Sequence, residues 1–416
     1  FDSFLLQSQA CNTASHFTMP QVSQHKNRIE NIFDHLLCKS DSLSGIGLYS
    51  GAFGRLLFLA HYLQYHPEEN NGCFDRYAEQ CFDAICSKPA IHTYCNGMAG
   101  VLECLRHLTR SGRLEVDYSE VEEQYKPHLL QCLQRDFARD GDYDLLHGAM
   151  GVAYHFREDE TFAAETARWL HRTAICDGDR LKWQSTLSPV EKGIRGYNIC
   201  LSHGISGIVL VLCALARHHP ANTEITELQR GAVRYILAQE YDDPEVCGCH
   251  FPSTSQESQT QRQASRLAWC YGDLGVAVAL WNAGKVLGDE TLKTKAHEVM
   301  LHATGRRTLR ETMVYDAGLC HGSAGVAMIF HYMYRQTGDE RLRAACDFWH
   351  EQTLAHARWE DGIAGYKFFF PSEQPEWRTD LSLLSGVTGV GLWLLSMQHE
   401  ADDSAAFDWT ELFFML

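Results

Sequence analysis

Two cysteines and one histidine occupy matching places in two similar stretches of this chain. Cys270 lies two residues before Gly272, and Cys320 and His321 lie directly before Gly322. Thiolate and imidazole are ligands that zinc prefers, and three protein ligands leave the fourth tetrahedral position open for a substrate. The three side chains therefore predict one catalytic zinc ion per chain. The alternative is that two buried thiols stand beside a capping histidine.

The chemistry that such a site favours is the alkylation of a thiol. Zinc held by two thiolates is a weaker Lewis acid than zinc held by three imidazoles, and it suits the binding of an incoming sulfur. Metal binding keeps that sulfur deprotonated at neutral pH while it remains nucleophilic. We therefore expect the chain to join a thiol to an electrophile.

Residues that can move protons precede the glycines of neighbouring stretches. His203 and Tyr271 lie directly before a glycine, Asp144 lies four residues before one, and Arg266 lies six residues before one. Imidazole titrates near neutral pH, a carboxylate can orient it or accept the thiol proton, and a guanidinium can stabilise an enolate oxygen. His147 is a rival histidine, and helix capping or an ordinary salt bridge is the alternative for each residue.

The stretches around Cys270 and Cys320 belong to a pattern that recurs along the chain. Seven Gly-x-x-Gly pairs are each followed by an apolar run, and their first glycines are Gly51, Gly97, Gly148, Gly204, Gly272, Gly322 and Gly386. Their separations run from 46 residues (51 to 97) to 68 residues (204 to 272), enough for one helical hairpin and a variable loop. We interpret each pair as part of one repeat.

The two helices of each repeat differ in character. The helix after the glycines is apolar on all sides, as in residues 208–212 and 276–280, which is typical of a fully buried helix. Its partner is amphipathic, as in residues 224–239 and 290–301. The alternation predicts an all-α fold in which an inner ring of helices is wrapped by an outer ring.

The residue directly before the first glycine is polar in all seven repeats. If the inner helices close into a ring, these side chains meet at one end of its axis and form a polar basin above an apolar centre. Helix capping is the alternative, although His and Tyr are poor caps. The basin residues are Ser50, Asn96, His147, His203, Tyr271, His321 and Ser385.

Length and charge limit the domain count and the classes of partner. The repeats favour one closed domain over residues 23–416, preceded by an arm at residues 1–22, with a first helix at about residues 24–39. A formal net charge of -17 disfavours nucleic acid and anionic membranes, and no run is long enough to span a membrane. No secretion signal opens the sequence, so the 16 cysteines are expected to be thiols in a cytoplasmic protein.

Two loops and the C-terminal tail have compositions that suggest roles. The longest gap lies between the fourth and fifth repeats and contains residues 240–264, which are predicted to form a lid. This loop contains Cys247-Gly248-Cys249-His250, a candidate for a second metal cluster. Residues 362–381 are rich in aromatic side chains, for which local packing is favoured over contact with a peptide. The apolar tail, residues 407–416, is expected to dock on the rest of the chain.

Four motifs, together with the seven glycine pairs, closely resemble those of the lanthionine synthetase C-like family over about residues 45–395. The motifs are Trp269-Cys270-Tyr271-Gly272, Cys320-His321-Gly322, Ser202-His203-Gly204 and Tyr143-Asp144. The resemblance implies an α/α toroid of seven inner and seven outer helices. It also implies that zinc is bound by Cys270, Cys320 and His321, and that the active site contains His203, Asp144, Arg266 and Tyr271.

The activity that the resemblance implies is the cyclisation of a dehydrated, ribosomally made precursor peptide. A cysteine thiol of the peptide adds to the β-carbon of dehydroalanine or dehydrobutyrine, and protonation at Cα leaves a lanthionine or methyllanthionine thioether. The chain is too short to carry the dehydratase of bifunctional synthetases, so a separate dehydratase partner is expected. The Cys-Tyr-Gly form at residues 270–272 resembles bacterial members of the family.

Three other functions remain open at this point. A related enzyme could add glutathione or another thiol to dehydrated residues and would use the same zinc site. A prenyltransferase with an α/α toroid also uses zinc and a thiol substrate, but it needs an aromatic-lined cavity where an apolar centre is expected. A non-catalytic peptide-binding scaffold is the third alternative, since helical repeats often serve that role.

Overall fold

The computed structural model describes residues 20–38, 45–87, 91–139, 143–186, 195–255, 257, 264–372 and 374–416, and these residues are mostly helical. In chain order the α-helices are α1 Pro20–Cys38, α2 Ala52–Tyr65, α3 Cys73–Ser87, α4 Met98–Arg110, α5 Ser119–Ala138, α6 Ala149–His155, α7 Glu160–Thr173, α8 Ile205–His218, α9 Thr223–Leu237, α10 Pro244–Cys247, α11 Asp273–Leu287, α12 Glu290–Ala303, α13 Leu309–Thr312, α14 Ser323–Thr337, α15 Glu340–Ala355 and α16 Val387–His399. The helix predicted at residues 24–39 is α1. The first 19 residues of the predicted arm lie outside the described residues, and the arm's last three open α1.

Among the described helices, seven form an inner ring and seven form an outer ring. The inner helices α2, α4, α6, α8, α11, α14 and α16 each contact the next, and α16 contacts α2. The outer helices α3, α5, α7, α9, α12 and α15 each contact the inner helix that precedes them in the chain, and α1 contacts α16. The predicted α/α toroid of seven inner and seven outer helices is confirmed.

A chain of backbone hydrogen bonds runs around the ring at the glycine end. The residue two places before the first glycine of one repeat donates its N–H to the carbonyl of the same position in the next repeat. These bonds, of 2.8 to 3.3 Å, join Tyr49 to Cys95, Cys95 to Leu146, Ser202 to Cys270, Cys270 to Cys320, Cys320 to Leu384 and Leu384 to Tyr49. The last of them joins the seventh repeat to the first.

Close backbone contacts explain why glycines begin the inner helices. The second glycine of each pair lies in the first turn of its helix, and at Gly325 an added Cβ would collide with the carbonyl of Leu319. Gly272 has a further requirement, because its φ of 88° with ψ of -165° is a conformation that essentially only glycine adopts. The other N-cap glycines have φ between -104° and -138°.

Burial and capping distinguish the two rings as the sequence predicted. Residues 208–212 and 276–280 of the inner helices are buried throughout, whereas the outer helices alternate buried and exposed positions. Several outer helices are capped by a side chain, as where Asn222 accepts from Glu224 and Ile225 at the start of α9. Among the described residues whose side chains are placed, no two cysteines form a disulfide.

The C-terminal tail docks inside the ring and fills its axis. A 3₁₀ turn over Asp408–Phe413 buries Trp409, Leu412 and Phe413 completely. Side chains from several inner repeats donate to the carbonyls of the tail: Tyr49 and Tyr94 to Leu412, Tyr154 to Glu411, Trp269 to Phe413 and Tyr332 to Leu416. The predicted docking is confirmed, and the tail supplies much of the apolar centre below the basin.

Short strands, which the sequence patterns did not reveal, occupy the connections between helices. A hairpin pairs β1 Ile175–Asp177 with β2 Arg180–Lys182, a three-stranded sheet joins β3 Ser185–Thr186, β4 Arg195–Asn198 and β5 Thr254–Ser255, and a second hairpin pairs β6 Phe368–Phe370 with β7 Glu376–Arg378. The described part of the predicted lid at residues 240–264 therefore contains α10 and β5, whereas residues 256 and 258–263 lie outside the described residues. In the described part of the chain, no helix is both long and apolar enough to cross a membrane.

Candidate functional site

The side chains of Cys270, Cys320 and His321 converge at the glycine end of the ring. Their ligand atoms all lie within 4.8 Å of one another. The backbone bonds fix this arrangement, because Cys270 donates to the Cys320 carbonyl over 3.3 Å and Cys320 donates to Leu384 over 2.8 Å. Cys270 is buried, while Cys320 and His321 are half-buried. The group can therefore bind a metal ion and still present a face to solvent.

Electrostatic interactions within this group favour a thiolate at Cys270. A hydrogen bond from the Cys320 thiol lowers the pKa of Cys270 well below its ordinary value, against the effect of burial, and His321 and Arg266 lower it further. Burial alone would lower the pKa of His321, but its hydrogen bond to Cys270 and the charge of that thiolate raise it. Two sulfurs and one imidazole in this state match the donor set that zinc prefers.

A hydrogen-bonded carboxylate and histidine stand in the two preceding repeats. His203 donates from Nδ1 to Oδ2 of Asp144 over 2.6 Å. The other oxygen of Asp144 accepts from the backbone N–H groups of Leu146 and His147, each over 2.8 Å. Asp144 is therefore held from both sides, and His203 keeps Nε2 as the ring nitrogen for exchange with a substrate.

The two histidines near Asp144 have opposite tendencies to carry a proton. Burial would lower the pKa of His203, but the hydrogen bond to Asp144 and its charge outweigh burial and raise it. The same bond lowers the pKa of Asp144, although burial acts to raise it. At His147 burial dominates and lowers the pKa, and the attraction of Asp144 offsets this only in part. His203 is thus the more readily protonated of the two histidines.

Tyr271 and Arg266 lie near both the carboxylate–histidine pair and the sulfur group, which comprises Cys270, Cys320 and His321. The ring of Tyr271 lies 5.9 Å from the ring of His203, measured between centroids, and Tyr271 follows Cys270 in the chain. Arg266 donates from Nη2 to the carbonyl of Met313 over 2.9 Å, whereas its buried Nε has no partner among the described residues. All the residues singled out for chemistry therefore lie in one zone, and an unused donor of Arg266 is buried there.

The seven basin residues are accessible at the mouth of the ring. Each is at least partly exposed, although the glycine that follows it is buried. Ser50 is hydrogen-bonded to Asn96, and the rings of His147 and His203 lie parallel with centroids 5.8 Å apart. The N-cap of every inner helix is the glycine itself, with no side-chain cap. The polar residues therefore do not act as caps for these helices.

Asp316 is a site residue that the sequence interpretation missed. Its carboxylate accepts from the backbone N–H of Gly318 over 2.9 Å and from that of Phe369 over 3.0 Å, and its charge adds to the raised pKa of His321. It thereby fastens the β6–β7 hairpin beside the sulfur group. The sequence position of Asp316 could have indicated this role, because Asp316 lies six residues before its repeat's first glycine, as Arg266 does.

The two loops that the sequence singled out have mainly local contacts. Cys249 accepts from the N–H of Ser265 over 3.2 Å, and His250 bonds to Glu240 over 2.7 Å. Among the described residues, no convergent group of metal-binding atoms includes the 247–250 segment. In residues 362–381, Phe369 stacks on Tyr315 with ring centroids 4.6 Å apart. The aromatic side chains of this loop therefore pack on each other and on the helical ring.

Known proteins share both the sequence pattern and the fold. A family model described as lanthionine synthetase C-like protein matches residues 43–413. The structure resembles that of nisin cyclase with a TM-score of 0.70 and 16% identity, covering 94% of this chain and 97% of the other.

A plant protein is similar to this chain over a shorter stretch of sequence. The LanC-like protein GCL1 of Arabidopsis thaliana is 26% identical over 151 residues, which are 35% of this chain. This chain spans about a third, 31%, of that relative's length. The family match covers most of the ring and every residue of the sulfur group and the Asp144–His203 pair, and so the chain belongs to the lanthionine synthetase C-like family.

Proposed function

We propose that this chain is a zinc-dependent cyclase that forms lanthionine and methyllanthionine rings in dehydrated peptides. The observation that carries the proposal is the convergence of Cys270, Cys320 and His321 beside the Asp144–His203 pair. A site for thiol addition needs a place that activates sulfur and a proton donor within reach. These two groups meet both needs.

The donor set of the sulfur group suits a zinc ion. Cys270 loses its proton readily, Cys320 and His321 complete three ligands, and the open face leaves room for a fourth. When bound, zinc would keep the thiol of a substrate cysteine deprotonated and nucleophilic at neutral pH. The half-buried position of Cys320 and His321 leaves space for that cysteine to approach.

The protein groups then complete the addition. The substrate thiol gives up its proton to water, one S–Cβ bond forms, and the Cα=Cβ double bond becomes a single bond. One proton then reaches Cα in place of the one that sulfur lost, so the peptide keeps its mass. His203, held protonated by Asp144, delivers the proton to Cα. Arg266, with an unused buried Nε, stabilises the enolate oxygen before that transfer, and Tyr271 helps to shape the space between them.

The proposed reaction also defines the partners and the compartment. The peptide must be dehydrated before it reaches the site, so we expect a separate dehydratase beside this chain. Free thiols persist best in a reducing compartment, which favours the cytoplasm, and we expect a bacterial one. A cavity of about 370 Å³ opens beside the basin between Ser50, Arg55 and Arg378, and it offers room for part of a peptide.

The experiment is a paired test of ring closure and thiol addition. A peptide with one dehydroalanine and one cysteine is incubated with zinc-loaded chain, with and without glutathione, then alkylated and weighed. We expect thiols to disappear without a change in peptide mass, and Cys320→Ala to abolish the loss while the control Cys346→Ala does not. Preferential formation of a glutathione adduct would instead support intermolecular thiol addition. No thiol loss with any cognate dehydrated peptide would support a non-catalytic scaffold.

A further inference from the structure

A second group of metal-binding side chains lies at the opposite end of the inner helices. His61 and His107 each lie ten residues after the first glycine of their repeats, at matching positions on the neighbouring helices α2 and α4. Asp408 comes to them from the C-terminal tail. The three residues therefore meet where the tail enters the ring, far along the helices from the sulfur group.

The three ligand atoms are spaced as a tetrahedral metal ion requires. Nε2 of His61 lies 3.4 Å from Nε2 of His107 and 3.3 Å from Oδ1 of Asp408, and Nε2 of His107 lies 3.5 Å from the same oxygen. An ion with ligands at about 2.0–2.1 Å in tetrahedral geometry places them roughly 3.3–3.4 Å apart. The observed triangle fits this distance on all three sides.

The hydrogen bonds of the two histidines turn their lone pairs toward one point. Nδ1 of His61 lies 2.8 Å from the carbonyl oxygen of Leu57, and Nδ1 of His107 lies 2.8 Å from a carboxylate oxygen of Glu411. Both partners accept, so each neutral ring carries its proton on Nδ1. When both rings are neutral, the two Nε2 atoms and the Asp408 oxygen form a triangle of acceptors with no donor among the described residues, which a cation at its centre would stabilise.

The surroundings match those of protein metal sites. Metal-binding histidines usually donate their other N–H to a carbonyl or carboxylate, as His61 and His107 do here. Arg113 donates to Oδ2 of Asp408 over 2.6 Å, which leaves Oδ1 for the ion. The histidine side chains are 2% and 3% exposed and that of Asp408 is 27% exposed, so a water molecule can reach the fourth position.

We propose that His61, His107 and Asp408 form a second metal site, which takes a divalent cation of the zinc class and fastens the C-terminal tail to the inner ring. Two imidazoles and one carboxylate are ligands that suit zinc. Asp408 begins the 3₁₀ turn whose carbonyls accept the hydrogen bonds of Tyr49, Tyr94 and Trp269. The ion would thus hold the C-terminal tail in place where it fills the ring beneath the basin.

The test is metal analysis of the purified full chain after loading with Zn²⁺ or Co²⁺ and removal of excess. We expect about two ions per wild-type chain and about one in His61→Gln or His107→Gln. The cobalt-loaded histidine variants should keep the thiolate-to-cobalt absorption, whereas Cys320→Ala should lose that absorption and keep one ion. This separates the second site from the sulfur group and from the proposed function.

The matched control is His331→Gln. His331 is also buried on an inner helix and bonds to Glu400 over 2.9 Å, but it belongs to no convergent group among the described residues, so we expect two ions to remain. Should a histidine variant fail to fold, the ion content is measured in Asp408→Asn, which keeps the side-chain shape and should also hold about one ion per chain. Zn²⁺ should also raise the Tm of wild type more than that of Asp408→Asn. The second site would be overturned if His61→Gln, His107→Gln and Asp408→Asn each held as much metal as the wild-type chain, whatever the wild-type count.

Discussion

The backbone N–H of Cys270 donates to the carbonyl of Cys320, and the thiols of the same two residues meet in the candidate metal centre. They hold the same position in adjacent repeats, and six bonds of this type run around the ring. Two candidate ligands are thereby held in place by the ring rather than by a loop. Because the geometry is preformed, removing one ligand should affect metal binding more than folding.

The first prediction concerns the metal centre. In a His107→Gln background, which removes the second site, Cys320→Ala or His321→Ala should lose the remaining zinc, with affinity reduced by more than about 100-fold, since even partners of ligands change it about 10–100-fold. The circular dichroism spectrum should stay helical. Zinc content is measured against Cys346→Ala, a buried cysteine on α15. Undiminished zinc in both ligand variants would show that the sulfur group is not the metal centre.

The second prediction separates the two histidines of the basin. His203→Ala should keep its zinc and lose about 10²–10⁴-fold in single-turnover rate, the usual contribution of a general acid. His147→Ala should lose far less, because burial lowers the pKa of His147 and no carboxylate of the described residues forms a side-chain hydrogen bond that would hold a proton on it. The rates are compared with the same dehydrated peptide. If His147→Ala proves the slower enzyme, the proton donor has been assigned to the wrong histidine.

The third prediction concerns pH. His203 faces Asp144, His147, Tyr271 and Cys270, and the Asp144 carboxylate raises its pKa against the effect of burial. A general acid loses activity as the pH rises through its pKa. Asp144→Asn should therefore move the alkaline limb of the single-turnover pH profile to lower pH, with an intermediate loss of rate at neutral pH. An unshifted limb would mean that Asp144 does not control the proton of His203.

Sequence alone could predict the parts of this molecule that repeat. Cys270 and Cys320 stand at equivalent places before Gly272 and Gly322, so their convergence followed once the helices were taken to form a ring. The pairing of His61 with Asp408 could not be predicted, because the two lie 347 residues apart and no repeat relates them. The short strands were missed for a related reason: two to four residues carry too little alternation to indicate a strand.

The fourth prediction concerns the glycines of the ring. Gly325→Ala should destabilise the fold by about 1–3 kcal/mol, because the new Cβ would collide with the carbonyl of Leu319 and the backbones must separate. Gly305→Ala is the matched control, since its Cβ would meet only the His302 carbonyl at 3.5 Å, an ordinary contact. Urea unfolding gives both values. Equal stabilities of the two variants would show that the inner helices can move apart without cost.

The most direct test of thiol addition with proton delivery to Cα is a single turnover in heavy water. The zinc-loaded chain is mixed with a peptide that contains one dehydroalanine and one cysteine, and the product is returned to ordinary water before weighing. We expect the free thiol to vanish and one deuterium to remain at Cα of the new thioether, with both changes slowed in His203→Ala. Thiol loss without retained deuterium, or an unchanged peptide, would contradict the proposed cyclase.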